Sequence, residues 1–188
     1  MRIVLDCDGV LSDFVGAALP VAQKFMPELT REKITQFGIE EMLPKNKRES
    51  YLRLVVERIW YPGLCSDMTV FPGARDFVDL LRAEEVIIAT APYRDLDGSI
   101  VGPWVSQRER WIQNHIGSVP VVFTDQKELL HGNVLVDDKW ENCRYWALTG
   151  RTALLFDRPW NRQTKDSEPR IIRVRGYDEV LEYLKEKT

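Results

Sequence analysis

The chain has 188 residues, 44% of them hydrophobic, and a formal net charge of -3, enough to bury one substantial core with a small accessory unit. No apolar run approaches the ~20 residues of a membrane helix and the opening lacks a signal-peptide cleavage pattern, so neither a membrane protein nor a secreted one is expected. The charge gives no basic footprint for long nucleic acid, and three scattered cysteines, Cys7, Cys65 and Cys143, argue for free thiols in a reducing, cytoplasmic setting.

Arg2-Ile3-Val4-Leu5 reads as a buried strand that ends in Asp6-Cys7-Asp8-Gly9. Open parallel sheets place their ligand crevices at the carboxyl ends of strands, so both acids are expected there, with Gly9 freeing the backbone to turn. Two carboxylates so close are unfavourable unless a cation lies between them or one takes a proton. The bland alternative is an ordinary strand leading into an acidic turn. Cys7 points to the opposite face from the acids and reads as a small core hydrophobe.

From Phe14 to about Val70 the strand pattern disappears, while Leu52, Val55, Val56 and Ile59 recur at helical spacing. Residues 14–70 are therefore expected to form a helical cap inserted after the first strand, with 1–13 and 71–188 as an α/β core. Phe77, Leu80 and Leu81 mark a core helix. Three further apolar runs end in polar groups: Val86–Ala89 in Thr90, Val119–Phe123 in Thr124-Asp125-Gln126-Lys127, and Val134–Val136 in Asp137-Asp138. Asn161 to Pro169 reads as an exposed loop, and Tyr177, Val180, Leu181 and Leu184 mark the last helix. Alternating strands and helices predict a Rossmann-like parallel sheet with right-handed crossovers.

Each polar group alone has an everyday explanation as a cap, a turn or a solvated charge. Together they line one sheet edge with four carboxylates, a hydroxyl and an ammonium, the inventory for phosphoryl transfer through an aspartyl phosphate. A carboxylate nucleophile splits a hard hydrolysis into two steps, and a second acid can protonate the leaving oxygen and then deprotonate water. A metal neutralises the phosphate oxygens, while a hydroxyl and an ammonium hold them. Asp6 is thus read as nucleophile, Asp8 as acid and base, Thr90 and Lys127 as phosphoryl holders, and Asp137 with Asp138 as the metal end.

In this order the motifs resemble the haloacid dehalogenase superfamily of phosphohydrolases and, more narrowly, the 5'(3')-deoxyribonucleotidases. The resemblance runs through Asp6-Cys7-Asp8-Gly9-Val10-Leu11-Ser12-Asp13-Phe14, Phe71-Pro72-Gly73-Ala74, Ile88-Ala89-Thr90-Ala91-Pro92, Trp111 to Gly117, Leu135-Val136-Asp137-Asp138 and Leu155 to Arg162. It implies Mg2+ held by Asp6, Asp8 through its backbone carbonyl, and Asp138, with Asp137 as an outer partner. It also implies a base-stacking role for Phe14 and a second contact from Trp60. The other tryptophans, Trp104, Trp111, Trp140, Trp146 and Trp160, are expected to pack helices or loops against the sheet.

Two departures stand out. Ala91 replaces a serine of the family pattern, and Arg108 replaces a lysine, where it could grip phosphate in a bidentate fork. The resemblance does not explain Tyr93 to Pro103. The expected activity is hydrolysis of nucleoside monophosphates, with deoxy forms preferred. A sugar phosphate or a nucleic-acid terminal phosphate is the alternative substrate, and a phosphorelay receiver or a non-catalytic nucleotide-binding module the alternative class. The expected partner is a small-molecule nucleotide, without long nucleic acid or membrane, and a homodimer is left open as the assembly.

Overall fold

The computed structural model describes residues 1–61, 63–164 and 168–187. Its six strands are β1 (Arg2–Leu5), β2 (Glu85–Thr90), β3 (Val121–Phe123), β4 (Val134–Asp137), β5 (Thr152–Phe156) and β6 (Ile171–Val174). They form one sheet in the order β3-β2-β1-β4-β5-β6, every neighbouring pair parallel. The chain runs outward from β1 through β2 to β3, then returns to place β4 on the other flank of β1. That reversal opens a crevice between the carboxyl ends of β1 and β4, the place where such sheets bind ligands.

Side chains alternate across β1. Ile3 and Leu5 enter the larger apolar cluster, which also takes Val136, Leu154 and Phe156, whereas Val4 faces Ala89, Leu135, Cys143 and Trp146 on the other side. Burial on both faces explains why the strands read as continuous apolar runs rather than alternating ones. β3 is shorter than the Val119–Phe123 run because Pro120 has no N–H to donate. Its carbonyl nevertheless accepts from Ile88 at 2.9 Å.

The helices are α1 (Phe14–Ala22), α2 (Lys45–Trp60), α3 (Leu64–Asp67), α4 (Ala74–Leu80), α5 (Gly102–His115), α6 (Trp140–Leu148) and α7 (Tyr177–Lys185). Among the described residues of 14–70 every regular segment is helical: α1 to α3 with 3-10 turns at Arg31–Lys33 and Ile39–Met42. Asp13 caps α1 by accepting from Gly16 N–H at 2.9 Å. The two chain crossings run side by side, with Asp13 N–H donating to the Thr69 carbonyl and Phe71 N–H to the Leu11 carbonyl, both at 2.9 Å. In α2, Tyr51 joins Val55, Val56 and Ile59 in the buried stripe, while Leu52 is only partly buried.

Residues 93–103, unexplained by the sequence, form a tight excursion. Arg94 bridges antiparallel to Ile100, Asp95 N–H donates to the Ser99 carbonyl, and Arg94 pairs with Asp125 at 2.7 Å. The reading of Asn161 to Pro169 as an exposed loop is corrected at its start. Asn161 closes a 3-10 turn, Pro159–Asn161, and is buried because its amide donates to the carbonyls of Asp138 and Phe156, both at 2.8 Å. Residues 165–167 of that segment lie outside the described residues.

Candidate active site

β1 stops at Leu5, and Asp6 continues its line by donating N–H to the Val136 carbonyl of β4 at 2.8 Å. The chain then turns: Leu11 and Ser12 N–H both donate to the Cys7 carbonyl, and Gly9 takes a φ of +75°. A Cβ at Gly9 would lie 1.9 Å from Asp138 Oδ2. The missing side chain is thus what lets the turn after β1 lie against the acids after β4. Arg158 Nε and the Tyr177 hydroxyl hold the turn from outside by donating to the Gly9 and Val10 carbonyls at 2.7 and 2.6 Å.

Lys127, in the 3-10 turn Lys127–Leu129, places its ammonium 2.7 Å from both Asp6 Oδ1 and Asp137 Oδ2. Burial works against the ammonium, but the charges of Asp137 and Asp6 reverse the effect and hold its pKa above the usual lysine value. Asp137 is fully occupied, also accepting from Lys139 N–H at 2.8 Å and from Asn142 at 3.0 Å. Asp138 is not. Trp160 Nε1 donates to its Oδ2 at 2.9 Å, while its Oδ1 is buried without a partner. The Thr90 hydroxyl, at the end of β2, is likewise buried and unpartnered. Buried polar atoms usually find a protein, water or ion partner, and these two lie at the carboxyl ends of β2 and β4.

Asp8 sits in its own clamp. Ser12 Oγ donates to Oδ1 and an Arg108 amino group to Oδ2, both at 2.7 Å, and Arg108 also donates to Ser12 Oγ at 3.2 Å. The guanidinium lies 4.3 Å from the centre of the Trp104 ring and is completely buried. Arg108, expected to grip phosphate, makes its hydrogen bonds to Asp8, Ser12 and Cys7. Burial pushes the Cys7 thiol up to about 12, which removes it as a nucleophile.

A cavity of about 530 Å³ opens on Asp6, Asp8, Gly9 and Asp138 and continues along Phe14, Tyr93 and Trp104. Phe14 meets Tyr93 and Trp104 with ring centres 6.2 and 6.0 Å apart. Tyr93 therefore belongs to this wall, brought there by the segment the sequence left unexplained. Trp60 does not line this cavity: it is 57% exposed and borders a separate surface hollow with Arg53 and Tyr61. Trp160 and Asn161, read as packing and loop residues, instead fix Asp138 from behind. The Leu155 to Arg162 match was the only sequence signal for them.

The donor set suits a hard divalent cation. Asp6, Asp137 and Asp138 each offer an oxygen, all within 4.8 Å of one another, and among the described residues only Lys127 forms ion pairs with them, one with Asp6 and one with Asp137. Without a cation, burial and then the Asp137 charge push the Asp6 carboxyl up to about 7 against the pull of Lys127. Burial with Asp6 and Asp137 raises Asp138 well above the usual carboxylate range.

A family model described as "5' nucleotidase, deoxy (Pyrimidine), cytosolic type C protein" matches residues 1–186. A putative 5'(3')-deoxyribonucleotidase of Bordetella pertussis is 30% identical over 185 residues, covering 91% of this chain and 90% of that protein. The human cytosolic-type 5'(3')-deoxyribonucleotidase is 28% identical over 152 residues, 74% of this chain and 71% of its own. Among solved structures, a haloacid dehalogenase-like hydrolase of Streptococcus pneumoniae superposes with a TM-score of 0.62 at 14% identity, covering 97% of both chains. Protein Tyrosine Kinase A of Mycobacterium tuberculosis reaches 0.65 at 17%, again over 97% of each. These likenesses show a haloacid dehalogenase-type fold.

The raised Asp6 carboxyl sets a pH dependence. Its folded value lies above the ordinary ~4, so its contribution to stability is complete below that value and disappears as pH rises through about 7. A bound cation takes the place of the proton. Saturating Mg2+, compared with chelator, should raise the thermal midpoint more at pH 8 than at pH 5.5.

Two acids should also respond oppositely to neutralisation. In chelator at pH 8, Asp138→Asn should stabilise the fold by relieving repulsion with Asp6 and Asp137. Asp8→Asn should destabilise it, by about 3 kcal/mol, because it leaves the buried Arg108 without its ion partner. Denaturant titration of both variants reads the two signs.

Proposed function

This chain belongs to the family of cytosolic type C deoxy (pyrimidine) 5' nucleotidases, and from that membership we propose that it releases phosphate from (deoxy)nucleoside monophosphates by way of an aspartyl phosphate. It is a phosphoric monoester hydrolase on a haloacid dehalogenase-type fold. The observation that carries the mechanism is the state of the Asp6 carboxylate. Its Oδ1 accepts from Lys127 and from Cys7 N–H, both at 2.7 Å, which leaves Oδ2 as the oxygen to attack phosphorus.

In the first step Asp6 Oδ2 bonds to phosphorus, and the bond to the nucleoside oxygen breaks as Asp8 delivers its proton there. In the second, Asp8 takes a proton from water, whose oxygen attacks phosphorus and frees Asp6 with release of phosphate. Ser12 and Arg108, which donate to its two oxygens, hold Asp8 in its carboxylate form between the two steps. We assign the unpartnered Thr90 hydroxyl to a phosphoryl oxygen, with the Lys127 ammonium supplying positive charge beside it. Asp6, the Asp8 backbone carbonyl and Asp138 would hold Mg2+, which supplies charge neutralisation for the phosphoryl group. Asp137, already engaged by three donors, serves as an outer partner.

Residues 1–13 and 71–188 would act as the catalytic core and 14–70 as the cap that chooses the substrate. Phe14 is the base-stacking candidate because it continues the cavity beyond the acids. The buried free thiols and the cytosolic human relative support a cytoplasmic location, and no described helix is long and apolar enough to cross a membrane.

Asp6→Asn should abolish steady-state release of phosphate and the acid-trapped phosphoenzyme while the fold is retained. Asp8→Asn should slow turnover by about 10²–10⁴-fold. Normal turnover by a folded Asp6→Asn protein, on nucleotides or on sugar phosphates, would sink the mechanism.

Phe14→Ala should lower kcat/KM for nucleoside monophosphates by the equivalent of about 1–3 kcal/mol, with a smaller loss on an alkyl phosphate that has no base. Comparing dUMP with UMP in the wild type reads the deoxy preference, which equal kcat/KM values would remove.

A further inference from the structure

The turn that follows β5 grips Asp138 at two points. Trp160 Nε1 donates to its Oδ2 at 2.9 Å, and the Asn161 amide donates to its backbone carbonyl at 2.8 Å. Asn161 is itself locked in place. Its amide also donates to the Phe156 carbonyl at 2.8 Å, and its Oδ1 accepts from Arg173 at 2.7 Å and from Arg158 N–H at 3.2 Å. The 3-10 turn Pro159–Asn161 therefore presents the buried indole to Asp138 from a fixed frame. The turn after β1 lies against the same oxygen, since a Cβ at Gly9 would stand 1.9 Å from Oδ2 but 3.1 Å from Oδ1.

The two oxygens of Asp138 are thus unlike. Oδ2 is hydrogen-bonded and covered, while Oδ1 is buried without a partner among the described residues. A carboxylate on a free side chain rotates to offer a cation one oxygen or both. Asp138 cannot do so without breaking a charge-assisted hydrogen bond in a buried place, where little replaces it. Divalent cations differ in what they ask of such a ligand. Mg2+ is small and needs near-ideal octahedral geometry, whereas Ca2+ takes about six to eight oxygens in flexible geometry and accepts carboxylates through both oxygens.

We propose that Trp160 is a positioning residue that makes Asp138 a one-oxygen ligand and so tunes the site to Mg2+ against Ca2+. The proposal rests on the metal reading above, in which Asp138 holds the cation. With Oδ2 kept by the indole, only Oδ1 is left to offer. The neighbouring acids are restricted as well: Asp6 Oδ1 accepts from Lys127 and Cys7 N–H, and both oxygens of Asp137 accept hydrogen bonds. In Asp138 the restriction depends on one side-chain bond, so loss of the indole N–H is the change that frees a further oxygen.

Titration calorimetry of the full chain with Mg2+ and with Ca2+ reads this without turnover. The wild type should bind Ca2+ no more tightly than Mg2+. Trp160→Phe, which keeps an aromatic ring and loses the N–H, should lose about tenfold in Mg2+ affinity, the scale of an outer partner's removal, while Ca2+ binds as well as before or better. The infrared carboxylate stretches of the Ca2+-loaded variant should show a carboxylate bound through both oxygens that the wild type lacks. An equal loss for the two cations, an unchanged Mg2+:Ca2+ ratio, or tighter binding of Ca2+ than of Mg2+ by the wild type overturns the proposal. Failure of the metal reading looks different: Asp138→Asn would bind both cations as the wild type does, and the proposal would fall with it.

Discussion

Three buried carboxylates stand against one lysine where β1 and β4 end, and most of the molecule can be understood from that imbalance. Asp6, Asp137 and Asp138 repel one another in surroundings that also desolvate them. Left to itself, such a cluster would take up protons or pull the strands apart. Lys127 relieves part of the strain by bridging Asp6 and Asp137. The rest is borne by the frame: the β1–β4 pairing, the side-chain-free turn at Gly9, and Trp160 and Asn161 bracing Asp138. Stability is given up at this point to keep three acids together whose oxygens could hold a metal ion.

The same division of labour separates the two acids after β1. Asp6 belongs to the cluster and feels its charge, whereas Asp8, two residues on, has a private cation in Arg108 and a private hydroxyl in Ser12. The turn that follows β1 thus aims two carboxylates, two residues apart, at different neighbours.

Much of this was legible in the sequence, for a physical reason. Strands buried on both faces must be apolar throughout, so β1, β2 and β4 announce themselves, and a carboxylate or hydroxyl directly after such a run must lie at the sheet edge. Asp6, Asp8, Thr90, Asp137 and Asp138 were found that way. Contacts set by tertiary folding alone left no periodic trace. Arg108 is a lone cation on a helix, and only the packing of α5 shows that it meets Asp8. Trp60 was expected at the cavity only through the resemblance, and the end of α2 leaves it 57% exposed. Tyr93 arrives on a segment with no regular pattern, and Asn161 reads as loop because it opens a polar, proline-bounded stretch.

The two crossings between the core and residues 14–70 are hydrogen-bonded to each other, Asp13 to Thr69 and Leu11 to Phe71. The excursion therefore begins and ends at one point, and the strand order of the sheet does not depend on what lies between. Such an architecture lets residues 14–70 change in length and sequence while the sheet that carries the acids keeps its strand order and its turn, so the two parts of the chain can vary separately.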